Sequence, residues 1–137
     1  MSRTFRAGAT RRHESRAIGG MTTCPKPLLP HHRLAAFQVA VELLVALRNA
    51  NIRDTKLRDE SLRAAKSVCC NVAEGVGRVS KADKARAFTI ARGEALEAFA
   101  ALEVAALTGE AEPADVERCL LLTDRLYGLL TGLIRVR

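Results

Sequence analysis

Residues 54–80 read DTKLRDESLRAAKSVCCNVAEGVGRVS, and the spacing of their apolar side chains decides the fold. Leu57, Leu62, Ala65, Val68, Cys69, Val72 and Val76 recur at the interval of one buried helix face, without the alternation of a strand. The helix is predicted to begin at Asp54 or Thr55 and to run to about Arg78. A second line along it, Arg63, Ser67, Asn71, Glu74 and Arg78, is polar throughout. Gly75 and Gly77 each cost about 1 kcal/mol relative to Ala inside a helix, so either the helix is finishing there or another backbone passes close by.

Working outward, Ser80-Lys81-Ala82-Asp83 is a capping-box variant with Asp at the third helical position, and it opens another helix. That helix is predicted to reach Thr108, with Gly109 as its stop, and Phe88, Ala91, Ala95, Phe99, Leu102 and Ala106 form its core stripe. From Ala95 to Leu107 its only polar residues are Glu97 and Glu103, an apolar arc wider than one core needs. Pro113 suits the first position of a following helix, with a stripe of Val116, Cys119 or Leu120, Thr123, Leu126 or Tyr127, Leu130 and Ile134. On the other side, a helix over 32–49 is apolar at every position from Leu34 to Leu47 except Gln38 and Glu42. A helix apolar nearly all round requires cover on more than one side, which a small bundle supplies with difficulty, so a subunit interface is expected there. No segment reads as a strand. The fold expected over residues 31–137 is therefore all-α, an antiparallel up-down four-helix bundle.

The remaining segment, residues 1–30, holds Arg3, Arg6, Arg11, Arg12, Arg16 and Lys26 against Glu14 alone, with Gly19-Gly20 and prolines at 25, 27 and 30. Without apolar periodicity it reads as a disordered basic arm. Its composition also fits an organellar transit peptide, and Met21 offers an alternative start. Across all 137 residues, apolar types make up 48% and aromatics 4%, so the core rests on Ala, Leu and Val. No apolar run is long enough to span a membrane, and no secretory apolar region precedes residue 30. A location in the cytoplasm is expected.

The residues carry little conventional chemistry. His13, His31 and His32 all precede the first helix, so the Glu-x-x-His pairs of a buried di-metal site cannot form, and no Ser-His-Asp or Cys-His set can be placed on the helices. Cys69 and Cys70 are adjacent and point about 100° apart, which suits neither a disulfide nor a shared metal. Cys24 and Cys119 have no C-x-x-C partner. Cys69 and Cys119 are expected to act as small core hydrophobes. Gly75-Val76-Gly77-Arg78-Val79-Ser80 ends a helix, lacks its last glycine and so does not bind a dinucleotide. Glu74 and Glu97 are the acids expected nearest the core edge. With Arg78 four residues beyond Glu74 and no nucleophile beside either, a structural ion-pair network is expected in place of acid–base catalysis. No catalytic residue, metal or cofactor is expected.

Charge is more informative. Residues 1–30 carry net +5, 48–92 carry +6 and 93–137 carry −4, within a total of +7. Arg53, Lys56, Arg58, Arg63, Lys66, Arg78, Lys81, Lys84 and Arg86 gather on the second helix and its flanking turns, and repeated around a ring of subunits they would form a belt able to neutralise phosphates. Without aromatic platforms the contact would be to the nucleic-acid backbone and steeply salt-dependent. These positions are the candidate binding residues, and the competing reading is a set of ordinary solvated helix faces.

Arg63-Ala64-Ala65, Ser67-Val68 and Asn71-Val72-Ala73-Glu74-Gly75-Val76-Gly77-Arg78-Val79-Ser80 resemble the R-A-A-x-S-[IV]-x-x-N-[IV]-A-E-G-x-G-R-x-S signature of the four-helix-bundle proteins encoded in 23S rRNA intervening sequences. Ile90-Ala91-Arg92-Gly93 with Glu97 is similar to that family's I-A-x-G-S-x-x-E segment, and Leu126 to Arg135 to its closing helix. Phe37-Gln38 stands where the family usually has Trp-Gln, Glu94 replaces a Ser, and the basic arm is extra. The resemblance implies a homo-oligomeric ring, commonly a homopentamer, with no known catalytic activity. It also implies kinship with the accessory variability determinants of diversity-generating retroelements, which bind nucleic acid and a reverse transcriptase. Asn71, Glu74, Gly75, Gly77, Arg78 and Glu97 are then structural motif residues. The function expected is a non-enzymatic accessory module that binds RNA or DNA or a ribonucleoprotein; the alternative is a protein-interaction scaffold with no nucleic-acid role.

Overall fold

The computed structural model describes residues 29–136. A 3-10 turn, Pro30–Arg33, leads into four helices: α1, Ala35–Asn49; α2, Thr55–Gly77; α3, Lys81–Leu107; and α4, Pro113–Arg135. There is no strand among the described residues. The expected basic arm, with Met21 and Cys24, lies outside the described residues except for its last two positions.

Three of the four helix starts follow from local chemistry. The Asp54 carboxylate accepts the Leu57 N–H at 2.9 Å and caps α2. Ser80 Oγ accepts the Asp83 N–H at 3.1 Å and caps α3, and Pro113 opens α4. The first helix starts later than its apolar run suggests. Leu34 is extended (φ −82°, ψ 123°) and separates the Pro30 turn from α1, in place of a continuous helix from residue 32. No Ser, Thr, Asp or Asn precedes α1 to cap it. The turn is held instead by the edge of the Phe37 ring against His31, with centroids 4.6 Å apart, and by Gln38 Nε2 donating to the His32 carbonyl at 3.1 Å.

The helix ends are equally specific. Gly109 adopts φ +78°, its N–H bonds the Ala106 carbonyl and the Glu110 N–H bonds the Ala105 carbonyl, a Schellman end to α3. At the end of α2 the helix-finishing reading applies to Gly77, while the close approach expected of a backbone is made at Gly75 by a side chain. Gly77 is the last helical residue. A Cβ on Gly75 would lie 2.5 Å from Phe88 Cε1, so the close neighbour is an aromatic ring of α3 and not a backbone.

One core joins the helices. Val39, Leu43 and Leu47 of α1, Val68 and Val72 of α2, Ala91, Ala95 and Leu102 of α3, and Leu126 and Leu130 of α4 are buried, as is Ile52 in the α1–α2 loop. On α4 it is Cys119 and Leu126 that face inward, while Leu120 and Tyr127 are exposed. Two polar side chains are buried in this apolar set. Ser61 Oγ donates to the Ala98 carbonyl at 2.9 Å, whereas Thr123 Oγ1 has no partner. Cys119 is buried, Cys69 is half-buried against the core and Cys70 is exposed. No helix among the described residues is long and apolar enough to cross a membrane.

The wide apolar arc of α1 is largely accounted for within the chain. Phe37, Val41, Leu44 and Val45 are half-buried, and none of the large exposed hydrophobics lies on α1. They fall instead mainly on α3 and α4, at Leu96, Val104, Leu107, Leu120, Leu121 and Tyr127, with Leu107 82% and Leu121 72% exposed. The excess apolar arc read in the second half of α3 is thus open to solvent.

The motif face and the candidate nucleic-acid interface

The polar line of α2 resolves into three local arrangements. Asn71 Nδ2 donates to the Ser67 carbonyl at 2.9 Å and to Ser67 Oγ at 3.1 Å, so its bonds stay within one turn. Arg78 Nη2 donates to Glu74 Oε1 at 2.5 Å, an i,i+4 pair in the favourable order. The Glu74 carboxylate holds the Arg78 guanidinium above its ordinary pKa. This pair lines a cleft of about 310 Å³ with Asp83, Arg86, Ala87 and Ile90 of α3.

Arg63 is the centre of the third arrangement. Its guanidinium donates to Glu60 Oε1 at 2.5 Å and to Glu94 Oε2 at 3.3 Å, and it also bonds Glu97. One cation thus gathers three carboxylates from two helices. The consequence for the acids is divergent. Glu97 is shifted up from its ordinary value, first by the neighbouring Glu60 carboxyl, then by partial loss of solvent and by the charge of Glu94. Glu60 is lowered, chiefly by its bond to Arg63. Glu94, which stands where a Ser is usual, is therefore absorbed by Arg63.

Glu74 and Glu97 are exposed, contrary to their expected place at the core edge, and they are held by different arginines. They form no carboxylate pair. Among the described residues no group of three or more His, Cys, Asp or Glu is arranged to hold a metal ion.

The nine candidate binding cations divide by what they touch. Arg53 is engaged away from α2: its Nη2 donates to the Gly109 carbonyl at 2.5 Å, its Nη1 lies 3.4 Å from Glu112, and its own N–H bonds the Glu110 carbonyl at 2.8 Å. Lys84 Nζ donates to the Val76 carbonyl at 2.9 Å and lies 3.4 Å from that of Gly75. It satisfies acceptors at the α2 C-terminus, where a cation also meets the negative end of the helix dipole. With Arg63 and Arg78 in the pairs above, four of the nine are committed to the fold. Lys56, Arg58, Lys66, Lys81 and Arg86 make no ion pair and no side-chain hydrogen bond among the described residues. Arg92 is likewise taken, lying over the Tyr127 ring at 5.0 Å and donating to Thr131 Oγ1 at 3.1 Å.

Sequence reasoning passed over Glu60, although its i,i+3 relation to Arg63 was a usable signal. It also passed over Ser61, whose clue was a lone small hydroxyl beside a run of apolar positions. The partners of Arg53 left no local trace.

The fold and this face define a class: an all-α protein of four packed helices whose motif side chains bond within and between α2 and α3. Within that class the chain belongs to the 23S rRNA-intervening sequence protein family, whose profile matches residues 33–132 and so contains the whole Asn71–Arg78 motif. No curated protein matches the chain.

Proposed function

We propose that this protein is a non-enzymatic, homo-oligomeric accessory module that acts in the cytoplasm and binds RNA or DNA through its unpaired cations. Its four helices run up and down, each antiparallel to the next. The contacts that support this ordering fall in opposite sequence order on neighbouring helices: Ser61 meets Ala98 and Gly75 meets Phe88, while Lys84 reaches Val76.

The observation that carries the binding reading is the set Lys56, Arg58, Lys66, Lys81 and Arg86, whose charges no acid of the described bundle neutralises. Ring assembly, five-fold by family resemblance, is supported by the exposed apolar side chains of α3 and α4, a surface of the kind that subunits cover. No reaction is proposed, because the motif acids are engaged by arginines and no nucleophile accompanies them.

Filter binding of single-stranded RNA and of duplex DNA across a salt series tests the reading. Neutralising about four phosphates gives a log–log slope of roughly −3 on single strands. Replacing Lys66, Lys81 and Arg86 together by Glu is expected to flatten that slope by about two, and deletion of residues 1–20 to leave most of the binding intact. A slope near zero refutes the nucleic-acid role. Binding that vanishes with residues 1–20 favours the second reading, a scaffold for a reverse transcriptase or another protein, which the commitment of four of nine cations to internal contacts also supports. Native mass measurement of the assembly, with Leu107→Asp and Leu121→Asp expected to release protomers, tests the ring.

A further inference from the structure

The end of the bundle at the α2–α3 connection holds a groove that shares Lys81 and Lys84 with the candidate cations but is otherwise apolar. Its volume is about 450 Å³, within the range of roughly 300–1,000 Å³ typical of small-molecule sites. Leu34, Val76, Val79, Phe88, Leu133 and Val136 supply its apolar lining, drawn from the chain before α1, both ends of the α2–α3 connection and the end of α4. Val79 stands 96% exposed on the extended link between α2 and α3, and Val136 is also exposed.

Two cations share this apolar site, Lys81 and Lys84. Lys84 directs its ammonium toward the Val76 and Gly75 carbonyls, and an ammonium has three donors, so one N–H remains for a ligand. Lys81 makes no side-chain contact with an acceptor among the described residues. An apolar lining with two lysines fits one chemistry: an apolar body that ends in an anion.

The chain's own leading segment does not match it. Residues 1–28 carry five Arg and one Lys against one Glu, the same sign as the two lysines. We propose that this groove binds a small amphiphilic carboxylate, its alkyl chain against Val76, Phe88 and Leu133 and its carboxylate between Lys81 and Lys84. Each methylene covered strengthens binding about fourfold. The lysine stems extend the apolar wall, and their charges select an acid over an amine of the same length.

Titration of the full-length protein with sodium decanoate below its micelle concentration, followed by calorimetry, tests the assignment. One saturable site per protomer is expected, with octanoate, two methylenes shorter, about fifteenfold weaker and decylamine weaker still. Lys81→Glu and Val79→Asp alter exposed side chains outside the core. Each is expected to weaken decanoate at least tenfold with an unchanged circular dichroism spectrum, while Lys66→Glu leaves binding as it was. Absence of a saturable site, equal affinity for decylamine, or indifference to both variants overturns the proposal. Failure to bind decanoate together with a smaller assembly for Val79→Asp also overturns it, and identifies a second copy of the chain as the occupant.

Discussion

Replacing Gly75 by Ala separates two opposing effects whose sizes the structure fixes. Ala gains about 1 kcal/mol over Gly from helix propensity. Its Cβ, however, would lie 2.5, 2.8 and 3.0 Å from Cε1, Cδ1 and Cζ of Phe88, against an ordinary carbon contact of roughly 3.5–4.0 Å. The ring must retreat by about 1 Å, and it has little room, being buried in the core at 4% exposure. Overpacking of this kind costs about 1–3 kcal/mol, and with the tight contact at the upper end of that range the net loss is about 1–2 kcal/mol. In a domain of this size that lowers Tm by roughly 5–15 °C. Gly77 is the internal control, because a Cβ there meets nothing within 4 Å. Gly77→Ala is expected to raise stability by a few tenths to about 1 kcal/mol. Urea unfolding followed by circular dichroism at fixed protein concentration measures both. Phe88→Leu in the Gly75→Ala background is expected to cost less than the two single changes added together. Equal gains from the two alanines, or strict additivity with Phe88→Leu, would refute the steric account.

Other consequences are open to measurement. Thr123→Val removes a buried hydroxyl that has no partner and is expected to stabilise the fold by about 1 kcal/mol in the same unfolding assay; a loss of stability would mean that the hydroxyl is satisfied. Burial, aided by the charge of His32, lowers the His31 pKa from 6.5, so the folded state binds its proton less readily than the unfolded chain. Stability is then intact above about pH 6.5 and falls as acid is added until the lowered folded value is passed, and an NMR titration midpoint for His31 at or above 6.5 contradicts this. Burial pushes the Cys69 and Cys119 thiols up to about 11, so in a Cys24→Ser background a maleimide should modify exposed Cys70 quickly and the other two only on unfolding. Rapid reaction of Cys119 in the folded protein would contradict its burial.

What could be read from sequence was local. Asp54, Ser80, Gly109 and Pro113 mark helix ends through bonds or backbone preferences that reach no further than four residues, and the structure places all four as expected. The start of α1 was not legible. It depends on ring contacts between His31 and Phe37 and on the reach of Gln38 to His32, none of which has a periodic signature. On α4, helical spacing alone left Leu126 and Tyr127 open. The choice is made by α3, whose Arg92 lies over the Tyr127 ring while Leu126 turns to the core. The fate of the cations was least accessible, since Arg53 meets Glu112 across 59 residues and Arg63 draws two of its three acids from another helix. A charge count weighs every arginine alike, whereas the folded chain spends some of them on carbonyls and carboxylates.

The grip of Arg53 on the loop after α3 makes the two ends of the bundle mechanically unlike. At one end the α1–α2 and α3–α4 loops are tied by a backbone bond and a guanidinium, so tension applied there loads both loops at once. At the other end the Lys84 cap and apolar contacts around the groove hold α2, α3 and α4 together. Apolar contacts have no preferred direction. The two ends of the bundle are thus closed by different physics: directed polar bonds cross between loops at one, and apolar packing with a single lysine cap closes the other.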